Sequence, residues 1–471
     1  MELSTFQQIK VKPFKMKHID KLTIKKSPNN HSTLLLTGIL DDDLEDSYVE
    51  ETLESKVIKV SAKSDEGEEK DIFSGVVDNI KVSASAKTYY IQIKAVSHSI
   101  KLDIELVRRS FQKLGMSYTD LLQKATEDYD AEIMDKATEG PIKAFILQYD
   151  ETAWQFIMRM ASRFFAPLIV EDIADTPKIY VGLPDKDNIG KLDDFTYNIV
   201  KKEDRYRLTK DRYEETLTET DCETYEIYSE KIFEIANKVT FKERTLYVNE
   251  AVIEMDGGIL RNVYKLTGKE GFHVNLMKNE KIIGLSIEGE VKKTETDKVK
   301  IDLDIDQPYP HDDFCWFKYS TPYTSNNGGG FYCMPELQER VRLYMPDRDD
   351  EHAYSTSCVR PEFKREGEHG IPDIKFWRTL AGKEIMFTPD GIKIRCVDNE
   401  IFINLIVDQG ILLQSNKPIY VIANEGAGIN LQADSKITIA AEEEFDAICN
   451  GSRINMKGGV TKIRGIFVKD N

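Results

Sequence analysis

The 471-residue sequence has only six cysteines, Cys222, Cys315, Cys333, Cys358, Cys396 and Cys449, and no CxxC pair among them. No Cys/His group has zinc spacing, so neither a disulfide framework nor a structural zinc is expected, and the thiols read as free and mostly buried. Long apolar runs are also missing. Nothing approaches the ~18 residues of a membrane-spanning helix, and the opening MELSTFQQIKVKPFK has no apolar signal core. A chain made and folded in the cytoplasm is expected. Its histidines form no HExxH, and neither GxSxG nor a P-loop occurs. The Gly328-Gly329-Gly330 run lacks the lysine of a phosphate cradle. No catalysis, cofactor or metal is expected. Positive charge is scarce as well: 64 Lys and Arg face 82 Asp and Glu, a net of −18. That excludes a general nucleic-acid binder, which needs a basic face. Acidic runs such as Glu442-Glu443-Glu444 read as solvated surface.

What the chain does have is a repeat. From Gly391 onward, apolar pairs at i, i+2 recur every eight to ten positions: Ile392/Ile394, Ile401/Ile403, Ile411/Leu413, Ile419/Val421, Ile429/Leu431, Ile437/Ile439 and Ile454/Met456. Turn residues separate them, among them Asp408-Gln409-Gly410, Asn424-Glu425-Gly426, Asn450-Gly451-Ser452 and Gly458-Gly459. Period-two alternation bounded by Gly, Asn, Asp and Pro predicts short strands, and a fixed period predicts a stacked β-structure. One such ladder cannot bury its own apolar face. It must close on itself or on other copies of the chain.

Upstream the pattern divides. Residues 1–105 alternate as strands, for example Tyr90-Ile91-Gln92-Ile93-Lys94-Ala95-Val96, and read as a first β-barrel. Residues 106–177 turn helical. Ser117 can cap a helix with the stripe Tyr118, Leu121, Leu122, Ala125 and Tyr129, and a second helix follows Asp150-Glu151-Thr152 with Trp154, Ile157, Met158 and Ala161 on one face. Residues 178–305 return to strands and predict a second barrel. Residues 306–360 fit a small oligonucleotide/oligosaccharide-binding (OB) barrel, without a concentrated basic, aromatic groove. Residues 361–384 read as a linker, and 385–471 carry the repeat.

Several segments resemble one family. Ile72-Phe73-Ser74-Gly75-Val76-Val77 is similar to the first-barrel hairpin of the VgrG spikes of type VI secretion and of their relatives in contractile phage tails and injection particles. Arg108-Arg109-Ser110-Phe111-Gln112, leading to Tyr118-Thr119-Asp120-Leu121-Leu122, resembles that family's R-S-F-Q…Y-x-D-I segment. Gln148 to Ala161 is similar to its Y-x-E-x-x-W-x-F-L-x-R-L-A helix, and Arg378 to Ile385 resembles the strand that opens its needle. The family's G-D-E-V turn and Val-Gly repeats are absent.

The resemblance implies a mainly β chain with a small helical insert: tandem hub barrels, an OB-fold and a C-terminal triple-stranded, intertwined β-helix needle in a homotrimer. It implies docking on a hexameric tube protein, contact with baseplate proteins, transient contact with the target membrane, and delivery to the target envelope when an injection particle fires. A PAAR-repeat protein would cap the tip at Ile466, Phe467 and Val468. No histidine follows His369, so no tip iron is expected. Three tails closing a prism would leave no free sheet edge, and nine strand starts at about 4.8 Å per layer give a shaft of roughly 40 Å. The competing reading is a tailspike-like protein that binds or degrades polysaccharide. The short turns between the repeats leave little room for a surface groove of that kind.

Overall fold

The computed structural model describes residues 9–41, 57–63, 69–85, 88–186, 188–192, 197–201, 223–229, 231–256, 259–307, 313–325, 327, 329–357, 371–397 and 400–467. It is mainly β and separates into two compact units, Met1–Arg360 and Pro361–Asn471. Among the described residues no helix is long and apolar enough to cross a membrane, and no group of His, Cys, Asp and Glu could hold a metal ion.

In the first unit the two expected barrels share one twelve-stranded sheet. Its N-terminal half runs Ile9–Lys12, Val57–Lys63, Glu69–Ser85, Thr88–Ser97, Thr33–Leu40 and Met16–Lys26. There Met16–Lys26 pairs antiparallel with Arg244–Asp256, setting Ile24 opposite Ile253 and Leu22 opposite Met255. The sheet continues through Ile259–Thr267 and Glu223–Ser229 to Tyr197–Lys201. Each half thereby covers an edge that would otherwise lie open. Alternation in the sequence shows that these segments are strands but not which edge each will find. The inward face is a continuous apolar layer that includes Leu22, Ile24, Leu36, Phe73, Ile93, Ile253 and Met255.

A buried ion cluster spans the same seam. The Lys26 ammonium donates to Asp172 Oδ1 and to Glu234 Oε2, both at 2.9 Å, and the lysine and Asp172 side chains are almost wholly removed from solvent. Burial works against the charged lysine, yet the two carboxylates prevail and raise its pKa.

The helical insert follows local rules. Helix α1, Tyr118–Thr126, is capped by the Ser117 hydroxyl, which accepts the Asp120 N–H at 3.0 Å. Helix α2, Ala153–Ser162, opens on a capping box in which Thr152 and Gln155 each accept the other's backbone N–H. The predicted stripes Leu121, Leu122, Ala125 and Trp154, Ile157, Ala161 are buried in one core, where Phe111 stacks on Phe156 at 5.4 Å.

His31 packs against Trp154, with ring centroids 4.3 Å apart, and contacts Ser99 Oγ at 2.7 Å and Asp103 Oδ2 at 3.4 Å. In this Ser–His–Asp set Ser99 is buried, only 1% exposed. Burial lowers the His31 pKa against the opposing pull of Asp103, and burial together with Lys101 lowers that of His98. A folded-state pKa below the unfolded value means that the unfolded chain takes up the proton first. This contribution to stability is present above about pH 6.5 and is lost as the pH falls from there through the lowered folded-state values. Denaturant midpoints are expected to be lower at about pH 5.5 than at about pH 7.5, with the difference reduced in His31→Gln/His98→Gln. An unchanged difference in that variant would assign it to other groups.

A five-stranded sheet completes the first unit in the order Trp316–Lys318, Lys298–Leu303, Ser286–Glu295, Arg340–Tyr344, Tyr354–Thr356. It draws in Ser286–Glu295 and Lys298–Leu303, which the sequence reading assigns to the second barrel. Residues 331–334 form no strand within the sheet, and residues 358–360 of the expected OB barrel lie outside the described residues. Cys315 is buried here, and burial pushes its thiol pKa up to about 12. Cys333, Cys396 and Cys449 are exposed in the single chain, contrary to the expectation of mostly buried thiols, while Cys222 and Cys358 lie outside the described residues.

The second unit holds two antiparallel meanders. One runs Lys375–Arg378, Glu384–Thr388, Gly391–Val397, Ile401–Ile406, Gly410–Gln414, and the other Glu444–Cys449, Ser452–Lys457, Val460–Arg464. The first strand lies where a linker was expected. Both turns of the second meander are two-residue hairpins with positive φ at each central residue: Asn450-Gly451 (40° and 85°) and Gly458-Gly459 (55° and 76°). These are the residue types such turns require.

Candidate functional site: an apolar ladder without a partner

In an antiparallel sheet directly opposed residues share a face, so the register of the first meander defines its surface. Ile385 faces Ile394, which faces Ile403, which faces Leu413. Phe387 faces Ile392, which faces Leu405, which faces Ile411. Eight large apolar side chains thus form one array across four strands. Ile401 and Ile403 are half-buried; Ile392, Ile394, Ile411 and Leu413 are exposed in the single chain. The second meander repeats the arrangement with Ile454 beside Ile463 and Met456 beside Phe445.

Between the meanders, residues 415–443 form no strand, so the strands expected at Ile419/Val421, Ile429/Leu431 and Ile437/Ile439 are absent from the single chain. All six of those side chains are exposed. Ala427 N–H to Asn424 O is the one backbone turn bond described there. Period-two alternation specifies an extended segment, and an extended segment needs a neighbouring strand to satisfy its N–H and C=O groups. Chemically the surface offers two things: apolar rows for burial and backbone groups for a ladder. At the end of the described chain Ile466 is 93% exposed and Phe467 88%, while Val468 lies outside the described residues.

Two of the segments that resemble the spike family, residues 108–112 and 148–161, meet elsewhere, at the joint between the helical insert and the five-stranded sheet. Ser110 donates through both its N–H and its hydroxyl to Asp306, at 2.6 Å each. Gln112 donates to Ile301 O and accepts the Cys315 N–H, both at 3.1 Å. Arg109 closes the C-terminus of α1 by donating to the carbonyls of Lys124 and Ala125, and it also bonds Gln148. Arg159 grips both oxygens of Glu151 at 2.8 Å and reaches Asp350 at 3.1 Å, where Arg163 joins at 3.2 Å. Sequence reasoning matched Ser110, Gln148 and Arg159 as motif members but missed Asp306 and Asp350, which lie nearly 200 positions away with no local signal.

No protein-family model and no curated protein matches this chain by sequence. Solved structures do. An E. coli protein, c3393, described as a component of the type VI secretion system with structural similarity to the T4 bacteriophage tail proteins gp27 and gp5, aligns with a TM-score of 0.54 at 9% identity, over 75% of this chain and 99% of that one. A chain of the half-lidded Francisella PdpA-VgrG complex aligns at 0.56 and 10% identity, over 88% of each chain. The lidded form of that complex gives 0.53 and 9%, over 84% of this chain and 76% of the other. The chain shares the mainly β fold of these VgrG-like type VI and phage-tail-like proteins.

Proposed function

We propose that this chain is a non-enzymatic spike and hub protein of a contractile injection system, working as a homotrimer. The unpartnered ladder carries the reading. The segment 415–443, with Ile419, Val421, Ile429, Leu431, Ile437 and Ile439 exposed, has neither a strand neighbour nor an apolar cover among the described residues. Three tails wound together supply both, since each chain's segment becomes its neighbour's partner strand and the Ile rows turn inward. The result is a continuous hydrogen-bonded rod, stiff enough to be driven through an envelope.

The first unit then serves as the base. Its halves share one sheet, and three copies would present six such halves to a hexameric tube protein and to neighbouring baseplate proteins. At the other end Ile466, Phe467 and Val468 would sit against a PAAR-repeat tip protein. Assembly would take place in the cytoplasm, before firing carries the spike to the target envelope.

Native mass tests the trimer: three chains of 54.0 kDa give about 162 kDa. A stable, folded monomer of 54.0 kDa would overturn the reading. Images of assembled particles that place the chain anywhere but the distal end of the tube would overturn the docking.

A further inference from the structure

The five-stranded sheet of the first unit carries an open groove of about 870 Å³ that the ladder does not involve. One wall is the strand Trp316–Lys318, and the opposite wall is the turn at Glu351-His352 with Tyr354. Backbone bonds fix these walls to one another: Tyr319 N–H donates to Asp297 O at 2.8 Å and Ser320 N–H to Ser355 O at 2.7 Å. The rim is aromatic. Trp316 is 38% exposed and Tyr332 is 72% exposed, an unusual degree for rings of this size outside an interface. Neither ring is loose. The Tyr332 hydroxyl donates to Thr296 O at 2.7 Å, and the Lys300 ammonium sits 5.4 Å from the Trp316 ring centre, itself paired with Asp313 at 3.1 Å. Tyr354 is braced edge-on by Tyr344 at 5.4 Å.

Polar groups converge between the rings and their charge cancels. Lys298 and Lys318 are matched by Asp297 and Glu351. His352 is held by Asp347 at 2.7 Å, so its charge too is answered locally. A polyanion such as single-stranded nucleic acid needs a positive track beneath its phosphates, and this groove has none. Held aromatic faces beside balanced donors and acceptors suit a ligand with apolar C–H faces and many hydroxyls but no charge. The volume falls in the usual range for a ligand site of about 300–1,000 Å³.

We propose that this groove binds an uncharged oligosaccharide, with pyranose faces stacked on Trp316 and Tyr332 and hydroxyls bonded by Asp297, Lys298 and Glu351. The groove lies in the first unit.

The test is isothermal titration calorimetry on the full-length protein with chitohexaose, cellohexaose and maltohexaose, and with a twelve-residue oligothymidylate as the charged comparison. Saturable binding of at least one hexasaccharide is expected, weakened about tenfold or more by Trp316→Ala and by Tyr332→Ala, with no heat from the oligothymidylate. Both rings are partly solvated, so both variants should keep the wild-type native mass and melting curve, and Tyr332→Ala decides the matter if Trp316→Ala does not fold. The proposal is overturned if none of the three sugars saturates, if folded variants bind as the wild type does, or if the oligothymidylate binds more tightly than any sugar.

Discussion

Replacing Ile437 with aspartate is expected to convert the 162 kDa assembly into folded monomers of 54.0 kDa. In the single chain Ile437 is 53% exposed and lies in a segment with no ladder, so an aspartate there costs the isolated monomer little. In an intertwined rod the same position recurs three times in one layer. Burying an isoleucine side chain stabilises by about 1.5–3 kcal/mol, so a row of three contributes roughly 5–9 kcal/mol. Three carboxylates facing one another in that row would add desolvation and mutual repulsion. The control is the next residue. Side chains alternate along an extended strand, so Thr438→Asp points to the other face and should leave the mass unchanged. The first unit has its own cores, and its melting transition should survive in both variants. If Ile437→Asp remains trimeric, or if Thr438→Asp dissociates the assembly equally well, the row does not face inward and the rod as described is wrong.

What could be read from the sequence follows the distance between partners. Features set by near neighbours were legible: the Ser117 cap, the start of α2 after Thr152, the Asn450-Gly451 and Gly458-Gly459 hairpins, and the Ile392/Ile394 and Ile401/Ile403 strands. Features set by distant partners were not. Nothing in Met16–Lys26 names Arg244–Asp256 as its neighbour, and nothing in Ser286–Glu295 shows that it will pair with Arg340–Tyr344. Both segments alternate, and alternation fixes a face without fixing an edge. The groove was missed for a related reason. Trp316 and Lys318 sit two apart on one strand and so share a face, a signal that was available, but Tyr332, Tyr354 and Asp297 come from three other segments. Scanning for a basic, aromatic groove also looked for the wrong charge, because here cations and carboxylates balance. The repeat stands between these cases. The alternation at 419–421, 429–431 and 437–439 is written in the sequence, yet no strand forms there in one chain; in the proposed trimer the missing neighbours would be the other copies.

Arg159→Met should produce the largest loss of stability from any single change in the first unit. Arg159 is 4% exposed, and its guanidinium bonds Glu151 through two nitrogens, Asp350 through one and the Leu147 carbonyl at 2.6 Å. Methionine keeps much of the volume and removes the charge, which leaves Glu151 buried without its cation. Breaking one side of such a cluster costs about 3–5 kcal/mol, or on the order of 5 °C in melting temperature for a unit of this size. The pH dependence identifies the cause. Burial already raises the Glu151 pKa and Arg159 opposes that rise, so losing the arginine lets the pKa climb further. A carboxyl whose folded pKa lies above its unfolded value stabilises the fold below the unfolded pKa and loses that contribution as the pH rises through the folded one. The defect of Arg159→Met should therefore be largest near neutral pH and smallest below about pH 4.5. Removing both partners, in Glu151→Leu/Arg159→Met, should cost less than Arg159→Met alone at neutral pH, because no buried carboxylate is left without a cation there. Calorimetry of the three proteins across that range decides it, and a pH-independent defect would mean that the arginine acts by packing alone. Because Asp350 lies between the strands Arg340–Tyr344 and Tyr354–Thr356 of the five-stranded sheet, while Glu151 ends the strand Ile146–Glu151 and Arg159 sits on α2, the same cluster resists separation of the helical insert from that sheet.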